Sequence, residues 1–138
     1  IETTVDDVTP ETLGYLIPNL INSGVDDAWI IPVIMKKTRP GHELKALCSE
    51  NILEKIVKII AKETGTLGMR IYPIKKQVFS RSEECITVRD TDIKIKIGPH
   101  GVKPEHDDIS LLAKKSGLTL KEATEEVFLE WNRKAEDS

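Results

Sequence analysis

The sequence predicts an α+β fold, a ferredoxin-like βαββαβ core extended at its C-terminal side by a β-hairpin and two helices. Three observations carry that expectation. Apolar residues recur at helical spacing in two segments, around 13–21 and 52–60, each flanked by β-branched runs. The resulting order of strand, helix, strand, strand, helix, strand is that of the split βαβ unit. Further on, Ile93, Ile95 and Ile97 alternate with Lys94 and Lys96, as in a strand with one buried face.

The first strand is expected over Glu2–Val8. Thr9 then offers an N-cap oxygen, and Pro10 falls at the first helical position, where its missing N–H costs nothing. Leu13, Leu16, Ile17, Leu20 and Ile21 form the apolar face, and Gly24 is expected to end the helix. Pro18 breaks the rule for helix interiors and predicts a kink, with Gly14 four residues earlier easing the clash. Ala28–Met35 is apolar on both faces, which predicts a strand covered on both sides with Trp29 as a packing anchor. Lys36–Gly41 turns the chain into a return strand over Glu43–Cys48. Ser49 is expected to cap a helix with Ile52, Leu53, Ile56, Ile59 and Ile60 on one face, stopped by Thr64-Gly65-Thr66.

Leu67–Val78 predicts the fourth strand, interrupted at Pro73. A hairpin of Glu84–Arg89 and Asp92–Ile97 about Asp90-Thr91 follows, then a loop over Gly98–Pro104. Helices at Glu105–Ser116 and Leu120–Lys134 finish the chain, and Thr119 with Glu122 forms a capping box for the second. The core is expected to occupy residues 1–79 and the hairpin and helices residues 80–138 of the same domain. A start at Ile1 rather than Met points to a fragment of a longer protein.

The composition narrows the function classes. With 138 residues, 31% charged and 39% hydrophobic, the chain has the make-up of an ordinary globular domain. A net charge of −3 argues against a broad nucleic-acid surface, so neither DNA nor RNA is an expected partner. The helix, glycine and helix rhythm at 112–123 resembles a DNA-reading motif, but Glu122, Glu125, Glu126 and Glu130 would repel phosphates. No apolar run approaches the roughly 20 residues of a membrane helix. Cys48 and Cys85 lack zinc spacing, which predicts reduced, partly buried thiols and a cytoplasmic location. His42, His100 and His106 are not at mutual ligand spacing and are expected in loops or at the surface. Neither a P-loop nor GxSxG nor HExxH is present.

The charged clusters carry the chemistry. In the spatial order 4-1-3-2, the end of the first strand (Asp6, Asp7), the end of the second (Lys36, Lys37, Arg39) and Thr64-Gly65-Thr66 leave the sheet at one rim. Strands about 4.8 Å apart make that row roughly 14 Å wide, the scale of a nucleoside triphosphate with its cation. Asp6 and Asp7 are hard oxygen ligands suited to magnesium or manganese. Lys36, Lys37 and Arg39 supply donors for phosphate oxygens, and Thr64 and Gly65 a backbone approach to them. Each cluster also has a plainer reading. Acids before a helix complement its dipole, cations in a hairpin turn protect a sheet edge, and Thr-Gly-Thr stops a helix. Gly101–Asp108, with Lys103, Glu105, His106 and Asp108, is a second possible phosphate or metal locus, or simply a helix start with acids in its first turn.

Taken in order, Glu2-Thr3-Thr4-Val5-Asp6-Asp7-Val8-Thr9-Pro10-Glu11, Leu13-Gly14-Tyr15-Leu16, Met35–Gly41, Glu63–Arg70 and Val102-Lys103-Pro104-Glu105 resemble the C-terminal domain of the nickel-pincer cofactor nickel-insertion proteins, the LarC family. The resemblance implies a ferredoxin-like domain that binds CTP with Mn2+ or Mg2+ and assembles into a homo-oligomer, a trimer or hexamer. It further implies a part in a CTP-dependent nickel chelatase or cyclometallase, a lyase. Together with its own N-terminal domain, that enzyme inserts nickel into pyridinium-3,5-bisthiocarboxylic acid mononucleotide for lactate racemase-type enzymes. On this resemblance Lys36, Lys37, Arg39 and Lys103 are nucleotide candidates beside Thr64 and Gly65, and Asp6, Asp7, Glu105 and Asp108 are metal candidates. Thr4 stands where the family often has Asn, and His106 where Tyr is frequent. The competing expectation is a non-catalytic oligomerisation or ligand-binding module of a larger protein.

Overall fold

A computed structural model describes residues 1–136, and the chain divides between Lys75 and Lys76 into two compact units. Both mix helices with antiparallel sheet, so the α+β class holds.

The first unit runs β1 (Glu2–Val5), α1 (Pro10–Asn22), β2 (Asp27–Met35), β3 (Arg39–Leu47) and α2 (Leu53–Thr64). Its sheet has the order β1-β3-β2, with β3 antiparallel to both neighbours. β1 and β2 therefore point the same way, and the chain leaves both at one rim. Thr9 caps α1 as expected, its Oγ1 accepting the Thr12 N–H at 3.2 Å. Leu13, Leu16 and Leu20 are buried on one face, each stabilising the fold by about 2 kcal/mol. Leu16 and Leu20 pack with Ala28, Leu44, Ala46, Ile56 and Ile60 into one core beneath the helices. Pro18 lies inside an unbroken helix, and Gly14 has open space around it. The helix ends at Ser23, one residue before Gly24.

Four expectations for this unit are corrected. β1 stops at Val5, so Asp6 and Asp7 lie in a bend beyond it. β2 takes the edge position that the order 4-1-3-2 gives the second strand, but it is not covered on both faces: Trp29 is 40% and Ile34 73% exposed. The Ser49 hydroxyl bonds the Asn51 side chain instead of capping a helix, and a single 3-10 turn, Glu50–Ile52, precedes α2. The fourth strand over Leu67–Val78 is reduced to one pair, in which Glu2 and Arg70 exchange both backbone hydrogen bonds at 2.8 Å. Side chains replace the rest of that ladder. Thr3 and Thr66 hydroxyls both donate to the Gly68 carbonyl at 3.0 Å, and Pro73 has no N–H to offer. Strand order thus stays compatible with the ferredoxin-like arrangement, with the fourth position held by a bridge.

The second unit runs β4 (Ser82–Val88), β5 (Thr91–Gly98), β6 (Gly101–Pro104), α3 (His106–Ser116) and α4 (Leu120–Glu136). The expected loop at Gly98–Pro104 contains a third strand, so the predicted hairpin is a three-stranded sheet of order β4-β5-β6. The β4–β5 turn is Arg89-Asp90, with φ of 45° and 60°, rather than Asp90-Thr91. Two positive φ values suit the tight turns that match strand twist. Ile86, Val88, Ile93 and Ile95 pack one face of the sheet onto Ile109, Leu112, Ala123 and Val127, with Trp131 half-buried at the margin. Thr119 and Glu122 form the expected box: the Thr119 N–H donates to Glu122 Oε2 at 2.8 Å and the Glu122 N–H to Thr119 Oγ1 at 3.2 Å. Both thiols are free, but Cys85 is exposed rather than partly buried.

Candidate functional site

The rim of the first unit is built by three chain segments. Val5, opposite His42, is the last residue of β1 to pair with β3, and Asp6 and Asp7 bend the chain on toward Thr9, the cap of α1. β2 and β3 are joined by a 3-10 turn, Lys36–Thr38, closed by the pair Met35 and Arg39. Lys37 and Thr38 both sit in the left-handed region, at φ of 64° and 59°. A β-branched residue there is an outlier that costs on the order of 1–2 kcal/mol. Gly41 allows the close approach: a Cβ there would lie 2.8 Å from the Val5 carbonyl and 2.5 Å from Met35 Sδ. β1 can therefore lie tight against β3, just where the two charged segments diverge.

Acid and base meet at this rim. Arg39 Nη1 donates to Asp6 Oδ2 at 3.3 Å across 33 residues of sequence. Both side chains reach solvent, with 59% and 29% exposed, so the pair itself stabilises little, well under about 1 kcal/mol. Asp7, Lys36 and Lys37 are exposed beside it in sequence. Three cations and two carboxylates so occupy adjoining loops, next to the N-terminus of a 13-residue helix.

The third segment behaves differently. Thr64 is buried and donates its hydroxyl to the Ile60 carbonyl at 2.7 Å, while Gly65 takes φ 67° as the left-handed end of α2. These two residues terminate the helix in this structure. Thr66 comes alongside β1, its Oγ1 2.8 Å from Thr3 Oγ1. Arg70 ties the segment down through Glu2 at 2.6 Å and Thr4 at 2.9 Å. Lys45 and Arg70 hold the Glu2 carboxyl below its ordinary pKa of 4.5, and Glu2 in turn raises both cations.

Lys103, Glu105 and Asp108 belong to the second unit. Lys103 lies on β6 directly opposite Lys96 of β5. Glu105 pairs with Lys96 at 2.6 Å. Asp108, in the first turn of α3, accepts the Lys94 N–H at 2.9 Å and so staples helix to sheet. His106 opens α3, with Nε2 3.4 Å from Ser110 Oγ. His42 lies within β3 rather than in a loop. Among the described residues, no three His, Cys, Asp or Glu side chains are grouped to hold a metal, and no helix is long and apolar enough to cross a membrane. A magnesium-type ion that keeps its waters needs only one or two carboxylates plus the phosphates it accompanies.

These features define an α+β domain whose sheet presents an open, mixed-charge rim. Against known proteins, residues 1–124 match the family model described as nickel insertion protein. A putative nickel insertion protein of Methanocaldococcus jannaschii is 38% identical over 127 residues, covering 88% of this chain and 33% of that protein. A pyridinium-3,5-bisthiocarboxylic acid mononucleotide nickel insertion protein of a Thermotoga species is 31% identical, over 88% of this chain and 32% of its own length. Among solved structures, the apo C-terminal domain of a cyclometallase involved in the synthesis of the NPN cofactor of lactate racemase superposes with a TM-score of 0.83. It is 27% identical, with 95% of this chain and 94% of that chain covered. The chain belongs to the nickel insertion protein family. It spans about a third of the length of the curated relatives it matches.

Proposed function

We propose that this chain is the CTP- and divalent-metal-binding part of an enzyme that inserts nickel into pyridinium-3,5-bisthiocarboxylic acid mononucleotide. The observation that carries the reading is the 3.3 Å contact of Arg39 with Asp6, which joins the acidic and basic loops at one rim. Asp6 and Asp7 would hold Mg2+ or Mn2+, whose role when bound is to neutralise the triphosphate. Arg39 swings from Asp6 toward phosphate oxygens, where its planar fork can bind two at once. Lys36 and Lys37 add charge from a tight turn in which Lys37 and Thr38 hold left-handed backbone. Lys103, Glu105 and Asp108 form a separate charged locus on the second unit and serve the same reaction. Nickel is cargo in this scheme, and its ligands are assigned to the remainder of the full-length protein.

Titration calorimetry with CTP and MnCl2 tests the reading, with GTP and metal alone as controls. Saturable heat is expected with CTP and metal together. Arg39→Ala and Asp6→Asn should each weaken it by roughly tenfold or more, as expected for loss of a charge-assisted contact. CTP heats no larger than the controls would end the proposal.

A second reading, an assembly module, is favoured by a different observation. Trp29, Ile31 and Ile34 are exposed on an edge strand, and Ile71, Tyr72 and Ile74 on the segment that follows Arg70. Exposed apolar edges recruit partner strands, which suits the homo-oligomer implied for the family. Sedimentation of Ile34→Lys decides it: a shift to a smaller species with CTP binding intact assigns assembly to that edge.

A further inference from the structure

The second unit has a cleft of its own, of about 530 Å3, between the extended segment 76–81 and the β5–β6 turn. Sites for small ligands commonly span about 300–1,000 Å3. Every lining residue belongs to this unit. Arg81, Lys96 and Lys103 are among them, and no Asp or Glu is, although the chain as a whole carries a net charge of −3. The apolar part comes from Val78, Phe79 and Val102. Phe79 is 63% exposed, and its ring is oriented by an edge-type contact with His100 at 6.2 Å between centroids.

Two local rules are broken here. Lys96 and Lys103 face each other across β5 and β6, and like charges directly opposite destabilise a sheet. Glu105 pairs with Lys96, and Lys103 stands exposed at the cleft with no carboxylate paired to it among the described residues. Beside this pair a phenyl ring stands in water. One guest resolves both: a flat ring to cover Phe79 and an anion to answer Lys103 and Arg81. A polynucleotide fits poorly, because one exposed ring stacks one base and the surrounding chain is acidic.

We propose that this cleft binds a mononucleotide, with its planar heteroaromatic ring on Phe79 and Val102 and its phosphate at Lys103 and Arg81. The inference rests on the function proposed above only for the choice of ring, a pyridinium. It makes the second unit a substrate locus separate from the triphosphate rim of the first.

The probe is nicotinic acid mononucleotide, a pyridinium ring bearing one carboxylate and a ribose phosphate, added to the whole chain. Saturable calorimetric binding is expected, with amide shifts confined to 76–81 and 96–103. Phe79→Ala and Lys103→Gln should each weaken it roughly tenfold or more, and Arg39→Ala should leave it unchanged. Lys103 is exposed on its strand, so its variant keeps the test valid if Phe79→Ala misfolds. The proposal is overturned by absence of binding, by inorganic phosphate reproducing the shifts with equal affinity, or by CTP–Mg2+ competing at the same amides. If the mononucleotide binds and CTP does not, the function proposed above fails while this site stands.

Discussion

Gly41→Ala is the sharpest probe of how the rim is assembled. An added Cβ would sit 2.5 Å from Met35 Sδ and 2.8 Å from the Val5 carbonyl oxygen. Methionine is flexible and can turn away. The Val5 carbonyl cannot, because Val5 is locked in register against His42. β1 must therefore lift from β3 by a few tenths of an ångström or more at its last residue. Overpacking of this kind costs about 1–3 kcal/mol, offset by the roughly 0.5–1 kcal/mol that Ala gains over Gly in a strand. The net expectation is a loss of about 1–2 kcal/mol, visible as a lowered midpoint in urea. Asp6 follows Val5 directly, so the CTP–metal binding proposed for this rim should weaken together with stability. Adding Met35→Ala separates the contacts, since it removes the sulfur and leaves the carbonyl. If Gly41→Ala alone is neutral or stabilising, or if Met35→Ala fully rescues it, the argument from close backbone approach is wrong.

Three further outcomes follow from the same structure. A double-mutant cycle of Asp6→Asn and Arg39→Ala should give a coupling below about 1 kcal/mol in chemical denaturation, shrinking with salt, because both partners are solvated. Thr91→Val should raise stability by roughly 1 kcal/mol, since the Thr91 hydroxyl is buried with no hydrogen-bond partner among the described residues. Glu2 has its pKa lowered by Lys45 and Arg70. Its contribution is complete above the ordinary value of 4.5 and is lost as pH falls through the lower folded pKa. Denaturant midpoints followed from neutral pH to about pH 3 should therefore drop more steeply for the parent chain than for Glu2→Gln.

The elements that sequence revealed are those whose signal is local. Thr9-Pro10 and Thr119–Glu122 carry their own capping chemistry, and the stripes at Leu13, Leu16 and Leu20 and at Ile56 and Ile60 have one periodicity each. The meeting of Asp6 with Arg39 was also legible, because strand direction alone puts both at one rim. What misled was context. The two-sided apolar run of β2 predicts burial, but a strand at the sheet edge can leave Trp29 and Ile34 in water. Leu67–Val78 has the residues of a strand, yet Thr3 and Thr66 take the Gly68 carbonyl that a ladder would need. The glycine and proline at Gly98-Pro99 suggest a loop and hide β6, whereas Pro99-His100 is only a two-residue connection between the paired Gly98 and Gly101. No local spacing points to the role of Arg70, because its partners, Glu2 and Thr4, lie 68 and 66 residues away.

Among the described residues each unit has a buried apolar cluster, and the chain holds two tryptophans, Trp29 in the first unit and Trp131 in the second. Nature has thereby installed one fluorescent reporter per half. Replacing either indole with phenylalanine silences one melting curve and leaves the other audible. Melting each variant with and without a guest would then show whether the two halves unfold together or apart and, where they unfold apart, which half the guest has stabilised.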